Sequence, residues 1–301
     1  MTYLCNLRIM IGIFDSGVGG LSVYREVRKA LPQSGIRYFG DTAFCPYGPR
    51  ERSFIISRAE AITEMMLKGD SDGINGDRYN AGKGVDIIVV ACNTATAAAI
   101  AHLREKYSDK SNPQVRERVL GLSGGRMDHV MFIGMEPAVK PAVSATKTGV
   151  VGVLATAGTL KGQKYHDMKD LYKGNVKVVE QVGEGFVELV EKWETDSPKA
   201  RETVRKSLMP LIEEGADTIV LGCTHYPFLI ETIRSQAAAI APDRNIQVIN
   251  PAPAVTRHLM EVMQQEGIPF EDSGAPTYIN ASGDAGTIAR IAALMDIPAT
   301  H

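Results

Sequence analysis

The feature that most constrains this chain is the recurrence of short β-rich apolar runs separated by helical patterns. IGIF (11–14), IRYFG (36–40), DIIVVAC (86–92), GVVGVL (149–154), VKVV (176–179), TIVLGC (218–223) and IQVIN (246–250) are each followed by Gly, Pro or Asn turns or by an amphipathic stretch. Strands this uniformly apolar suit sheets covered by helices on both faces, so the chain reads as α/β with mainly parallel sheets and crossover helices. Leu21 to Leu31 reads as a helix stopped near Pro32, Ser53 to Leu67 as another, and Lys199 to Glu214 as a third ended by Gly215. With 301 residues, 44% of them hydrophobic, two α/β units are expected rather than one.

The chain also repeats itself imperfectly. Ile11-Gly12-Ile13-Phe14-Asp15-Ser16-Gly17 has a counterpart in Val151 to Gly158, where a strand again leads into a small, hydroxyl-bearing turn. Later in each half an apolar strand ends in cysteine: Ile87 to Ala91 before Cys92-Asn93-Thr94, and Thr218 to Gly222 before Cys223-Thr224-His225. Parallel sheets bind ligands beyond the carboxyl ends of their strands. Two facing, pseudo-symmetric units would therefore put one cysteine on either side of a central cleft.

Lys and Arg number 33 against 35 Asp and Glu, which gives no global charge favouring nucleic acid or an anionic membrane surface. The apolar start is interrupted by Arg8 and followed by Asp15, so neither a signal peptide nor a membrane span is read. A start at Met10 would make Met1 to Ile9 a dispensable extension. Cys5, Cys45, Cys92 and Cys223 are too scattered for a disulfide framework and show no metal-ligand spacing. Gly69 to Gly84 and Ser108 to Arg118 are polar or charged and read as surface insertions. The first resembles a calcium loop at Asp70, Asp72 and Asn75, but its spacing and missing terminal Glu argue against one.

Inverting a stereocentre by proton transfer needs a base on one face and an acid on the other. An ordinary thiol titrates near about 8.5, so modest local tuning decides which sulfur holds the proton. Asp15 is placed to orient Cys92, and His225 to relay a proton at Cys223. Asn93, Thr94, Thr96 and Thr224 offer neutral donors at the strand ends, where helix N-termini also favour anions. Ser16 and the Gly17 to Gly20 turn allow close backbone approach. That turn lacks the GxGxxG spacing of a dinucleotide loop.

These segments closely resemble the glutamate racemases of bacterial cell-wall synthesis. The matching motifs are IGIFDSGVGGLSVYREV (11–27), GDTAFCPYGPR (40–50), VVACNTATA (89–97), GMEPAVKPA (134–142), VGVLATAGT (151–159), LGCTHYPFL (221–229) and ASGD (281–284). The resemblance implies a cytoplasmic, usually dimeric enzyme that uses no pyridoxal phosphate, metal or nucleotide. In it Cys92 and Cys223 would exchange the α-proton of glutamate from opposite faces. Asp15, Ser16, Tyr47, Gly48, Asn93, Thr94, Thr224 and His225 would line the substrate site, with Glu136 near it. It also implies two α/β domains able to hinge over the ligand, 9–107 completed by 226–301, and 119–225. Phe44 and Val182-Gly183-Glu184 depart from the family pattern without removing a catalytic motif, and Cys45 receives no catalytic role. The alternatives are a racemase of aspartate or of broader specificity, and a non-catalytic amino acid binding protein of the same fold. A thiol-disulfide oxidoreductase is disfavoured because its cysteines would form a close pair.

Overall fold

The computed structural model describes residues 9–69, 84–135, 138–268 and 277–295. Its strands are β1 (Met10–Asp15), β2 (Gly35–Gly40), β3 (Ile87–Val90), β4 (Met131–Gly134), β5 (Val150–Ala155), β6 (Lys177–Val182), β7 (Thr218–Gly222), β8 (Gln247–Ile249) and β9 (Tyr278–Ala281). They form two sheets, ordered β4-β3-β1-β2-β9 and β6-β5-β7-β8, and each described strand pair is parallel. The α/β class and the strands expected from the apolar runs are therefore present. Every residue of β1, β3 and β7 is buried, as befits central strands covered on both faces.

The repeat covers four strands of each sheet. From β1 the chain moves to β2 on one side, then to β3 and β4 on the other; from β5 it moves to β6, then to β7 and β8 on the opposite side. Each sheet thus reverses its winding once, between β1 and β3 and between β5 and β7. Crevices open beyond the strand ends at such reversals. Asp15 and Cys92 stand at the first reversal, Thr156 and Cys223 at the second.

The crossings between sheets lie later in the chain than the sequence bounds had them. The segment assigned to the second unit from residue 119 contains β4, which pairs with β3 in the first sheet. The chain crosses only after Gly134, where the helix Val139–Ala145 packs on β5 and β7. Likewise β8, placed with the first unit, pairs with β7, and the helix Ile230–Ile240 packs on the helix Pro198–Glu213. The return comes with the helix Ala252–Gln265, which packs on the helix Leu21–Ala30 before β9 extends the first sheet beside β2.

Helix ends follow local chemistry. Arg52–Lys68 stops at Gly69, whose φ of 69° is left-handed, a conformation that favours glycine. Pro198–Glu213 begins after Ser197, whose side chain accepts from Ala200 N, with Pro at the first turn. The stretch 108–118 lies at the surface as expected but is not irregular: Asn112 caps a helix over Pro113–Leu122 that buries Val115 and Val119. Their four-residue spacing is a helical stripe hidden among charged neighbours. Residues 1–8, the 70–83 part of the other insertion with its calcium-like Asp70, Asp72 and Asn75, and Glu136 lie outside the described residues.

Candidate active site

One cavity lies between the two reversals, lined by Ser16, Pro46, Tyr47, Gly48, Cys92, Asn93, Thr94, Thr156, Val187, Cys223, Thr224 and His225. Its volume is about 10 Å³, room for one water at most, so the cleft is shut. A larger vestibule of about 920 Å³ shares Gly48 and Thr94 with it and carries Arg50, Arg52 and Lys161.

Cys92 follows β3 and caps the helix Asn93–Tyr107, its Sγ accepting from Ala95 N at 3.4 Å. The thiol also reaches Ser16 Oγ at 3.8 Å. Burial, then the charge of Asp15, pushes this thiol up to about 12, against a smaller downward pull from the Ala95 N–H. Negative charge on Cys223 contributes to the same rise, which places the two sulfurs within electrostatic reach of each other.

Asp15 departs from its expected contact. Rather than hydrogen-bonding Cys92, its carboxylate accepts from Gly17 N at 2.8 Å and from Thr224 Oγ1 at 2.9 Å. Thr224 follows Cys223, so the end of the first sheet's central strand is tied to the end of β7. Asp15 is fully buried, and that burial raises its carboxyl despite the opposing charge of His225.

On the other side, Cys223 Sγ lies 3.9 Å from His225 Nδ1, while His225 Nε2 lies 2.7 Å from Glu191 Oε1. Burial alone would lower the imidazole, but its hydrogen bonds to Cys223, Cys45 and Glu191 outweigh that and hold it well above its ordinary value. Glu191 responds in the opposite sense: burial would raise it, and the His225 contact holds it low. The result is a buried imidazolium and carboxylate beside Cys223. The glycine turn fits around this pair, since a Cβ on Gly17 would stand 2.1 Å from Glu191 Oε1 and one on Gly19 would stand 2.3 Å from His225 Nδ1. Val18 N donates to Glu191 Oε1 at 2.9 Å.

Asn93 lines the cavity with both amide atoms buried and without hydrogen-bond partners. Unpaired buried polar atoms are costly, and here a ligand can satisfy them. Thr94 Oγ1 meets Thr156 Oγ1 at 2.9 Å, a second bridge between the halves.

Two expected ligand contacts are redirected. Thr96 Oγ1 donates to Val90 O at 3.1 Å and accepts from Met135 N at 2.9 Å, so its hydroxyl joins the ends of β3 and β4 instead of lining the cavity. Tyr47 lines the cavity, but its hydroxyl donates to Asp41, which Arg58 grips through Nε at 2.9 Å and Nη2 at 2.7 Å. The departures are accommodated: Phe44 stacks under Arg58, with Cζ 4.1 Å from the ring centroid, and Gly183 O accepts from Tyr226 OH at 3.2 Å. Glu191, Thr156, Pro46 and Val187 escaped the sequence reading. Thr156 lies in the turn that the repeat pairs with the one after β1, though it was given no role there; Glu191 carries no local signal.

The chain is similar to known proteins along nearly its whole length. A family model described as Asp/Glu/Hydantoin racemase matches residues 125–259. A glutamate racemase of Herpetosiphon aurantiacus is 39% identical over 95% of this chain and 98% of its own. A crystal structure of a glutamate racemase from Bacillus anthracis aligns with a TM-score of 0.75 at 28% identity, covering 95% of this chain and 93% of its own. That of the Escherichia coli glutamate racemase, in complex with L-glutamate and the activator UDP-MurNAc-ala, aligns at 0.70 and 28% identity, covering 97% and 96%.

Proposed function

The chain belongs to the glutamate racemases, and from that premise we propose that it interconverts L- and D-glutamate by two-thiol proton transfer and supplies the D-enantiomer for peptidoglycan. The observation that carries the reading is the pair of buried cysteines, each beyond a strand at the reversal point of its own sheet, lining one cavity with the unpaired amide of Asn93.

Glutamate enters through the basic vestibule when the cleft parts, and closure excludes water around the α-carbon. Asn93, Thr94, Ser16 and Thr224 offer polar groups to its amino and carboxylate ends. One cysteine, as thiolate, takes the α-proton; the other, as thiol, gives its proton to the opposite face, and the two sulfurs have then exchanged roles. The charge pattern favours keeping the proton on Cys92, whose thiol burial and the Asp15 charge push up to about 12. Asp15 acts on Cys92 through its charge and on the second half through Thr224.

The sheets support a division into units of 10–134 with 252–295 and of 139–249, able to move as bodies. A homodimer located in the cytoplasm is the further expectation, carried by the resemblance. Among the described residues no helix is long and apolar enough to cross a membrane.

The test is incubation with L-glutamate and, separately, D-glutamate in deuterated water without added cofactor. Both should lose optical activity, with deuterium in the newly formed antipode. A higher efficiency with aspartate would overturn the substrate, and folded, reduced protein inert toward both enantiomers would overturn the enzyme.

A further inference from the structure

Among the described cysteines, Cys45 is the thiol that proton transfer leaves unused. It is half-buried, its Sγ 3.5 Å from Glu191 Oε1. Ligand atoms of Cys45, Glu191 and His225 all lie within 4.8 Å of one another. Tetrahedral zinc, with bonds of about 2.0–2.3 Å, holds its donor atoms roughly 3.3–3.8 Å apart. The 3.5 Å between Cys45 and Glu191 already meets that spacing, and the 2.7 Å between His225 and Glu191 needs only a small side-chain rotation to open to it.

The backbone of the glycine turn borders the cluster. Val18 N fixes one Glu191 oxygen, and the bare Gly17 backbone abuts both partners, since a Cβ there would stand 2.9 Å from Cys45 Sγ as well as against Glu191. Thiolate, imidazole and carboxylate together select borderline divalent cations, whereas calcium and magnesium favour oxygen alone. The ligands come from positions 45, 191 and 225, so no local sequence spacing reveals them.

We propose that Cys45, Glu191 and His225 form a site for a divalent cation of the zinc(II) class, with its fourth position open to water, and that filling it inhibits the enzyme. As the ion enters, the thiol proton of Cys45 and the proton held between His225 and Glu191 pass to solvent. The ion then takes the ring nitrogen of His225 that faces Glu191, so the imidazole beside Cys223 can no longer gain or give up a proton there. The inhibition rests on the racemase reading; the binding does not.

Cobalt(II) titration of the reduced protein reads the binding directly. A single equivalent should produce a sulfur-to-metal charge-transfer band, displaced by zinc(II). Cys45→Val should remove the band and weaken binding by more than about tenfold, with its far-ultraviolet circular dichroism unchanged; Glu191→Gln should weaken binding as well. Zinc(II) should suppress racemisation by the parent protein, reversibly with a chelator, while Cys45→Val keeps its own metal-free rate at the same zinc concentration. A band that persists in Cys45→Val would assign the ion to another cysteine and overturn the site, as would an absence of binding. Binding without loss of turnover would overturn the inhibition. A protein that binds cobalt(II) normally but racemises nothing would sink the proposed function and leave the metal site standing.

Discussion

The two cysteine-bearing strand ends share a topology and differ in charge. Beyond β3, Cys92 meets neutral groups, the Ser16 hydroxyl and the Ala95 N–H, with the Asp15 carboxylate opposing negative charge on the sulfur. Beyond β7, Cys223 meets an imidazolium locked to Glu191. A duplicated scaffold thus supplies two equivalent positions, and a few long-range side chains make them inequivalent. The fold sets where the sulfurs stand; Asp15, His225 and Glu191 set the charge around each.

The hardest blow to the comparison is removal of either sulfur. Cys92→Ala and Cys223→Ala should each lower racemisation by about 10²–10⁴-fold with circular dichroism unchanged, and substantial turnover in either would end the two-thiol account. Next comes Gly19→Ala, whose added methyl would displace the imidazole; a shift of this size can cost about 10²-fold. It should spoil turnover more than folding, as read by kinetics beside a thermal melt.

His225→Asn sharpens the comparison. Free L- and D-glutamate have equal free energies, so kcat/KM must stay equal in the two directions for any variant. Inequivalence of the two faces must therefore surface as unequal kcat values with KM moving in step, or as unequal deuterium isotope effects. Symmetric behaviour of His225→Asn in both measurements would mean that the imidazole does not distinguish the faces.

Asp15→Asn makes a smaller, directional change. Burial remains the main cause of the high Cys92 value, but deleting the second cause, the carboxylate charge, should bring that thiol down from about 12. Thiolate absorbance and alkylation of Cys92 should then appear at lower pH than in the parent; an unmoved profile would detach Asp15 from Cys92. The smallest effect belongs to Tyr47→Phe, which leaves Asp41 paired with Arg58. It should cost about 1 kcal/mol of stability in chemical denaturation while racemisation changes little.

What the sequence made legible was local. Apolar runs located the central strands, and the strand-ending cysteines with Asn93, Thr94, Thr224 and His225 located the cavity, because each is a pattern over a handful of neighbours. The illegible parts depend on distant partners. β4 and β9 are four-residue strands whose identity comes from pairing with β3 and β2. Glu191 matters only because folding brings it to His225, and Thr96 resembled a ligand donor until Val90 O and Met135 N claimed its hydroxyl. The carboxylate of Asp15 was read as a hydrogen-bond partner of Cys92, whereas its oxygen accepts from Thr224 in the other half.

The late return of the chain also orders events during synthesis. The strands of the second sheet are complete once Ile249 has been made, while the first sheet, begun earliest, waits for Tyr278–Ala281. Until then β2 is an open edge and the helix Leu21–Ala30 lacks its cover from Ala252–Gln265. An unpaired edge is a template for wrong partners, and domains generally fold as they emerge from the ribosome. The oldest part of the nascent chain is thus the last to become safe from aggregation.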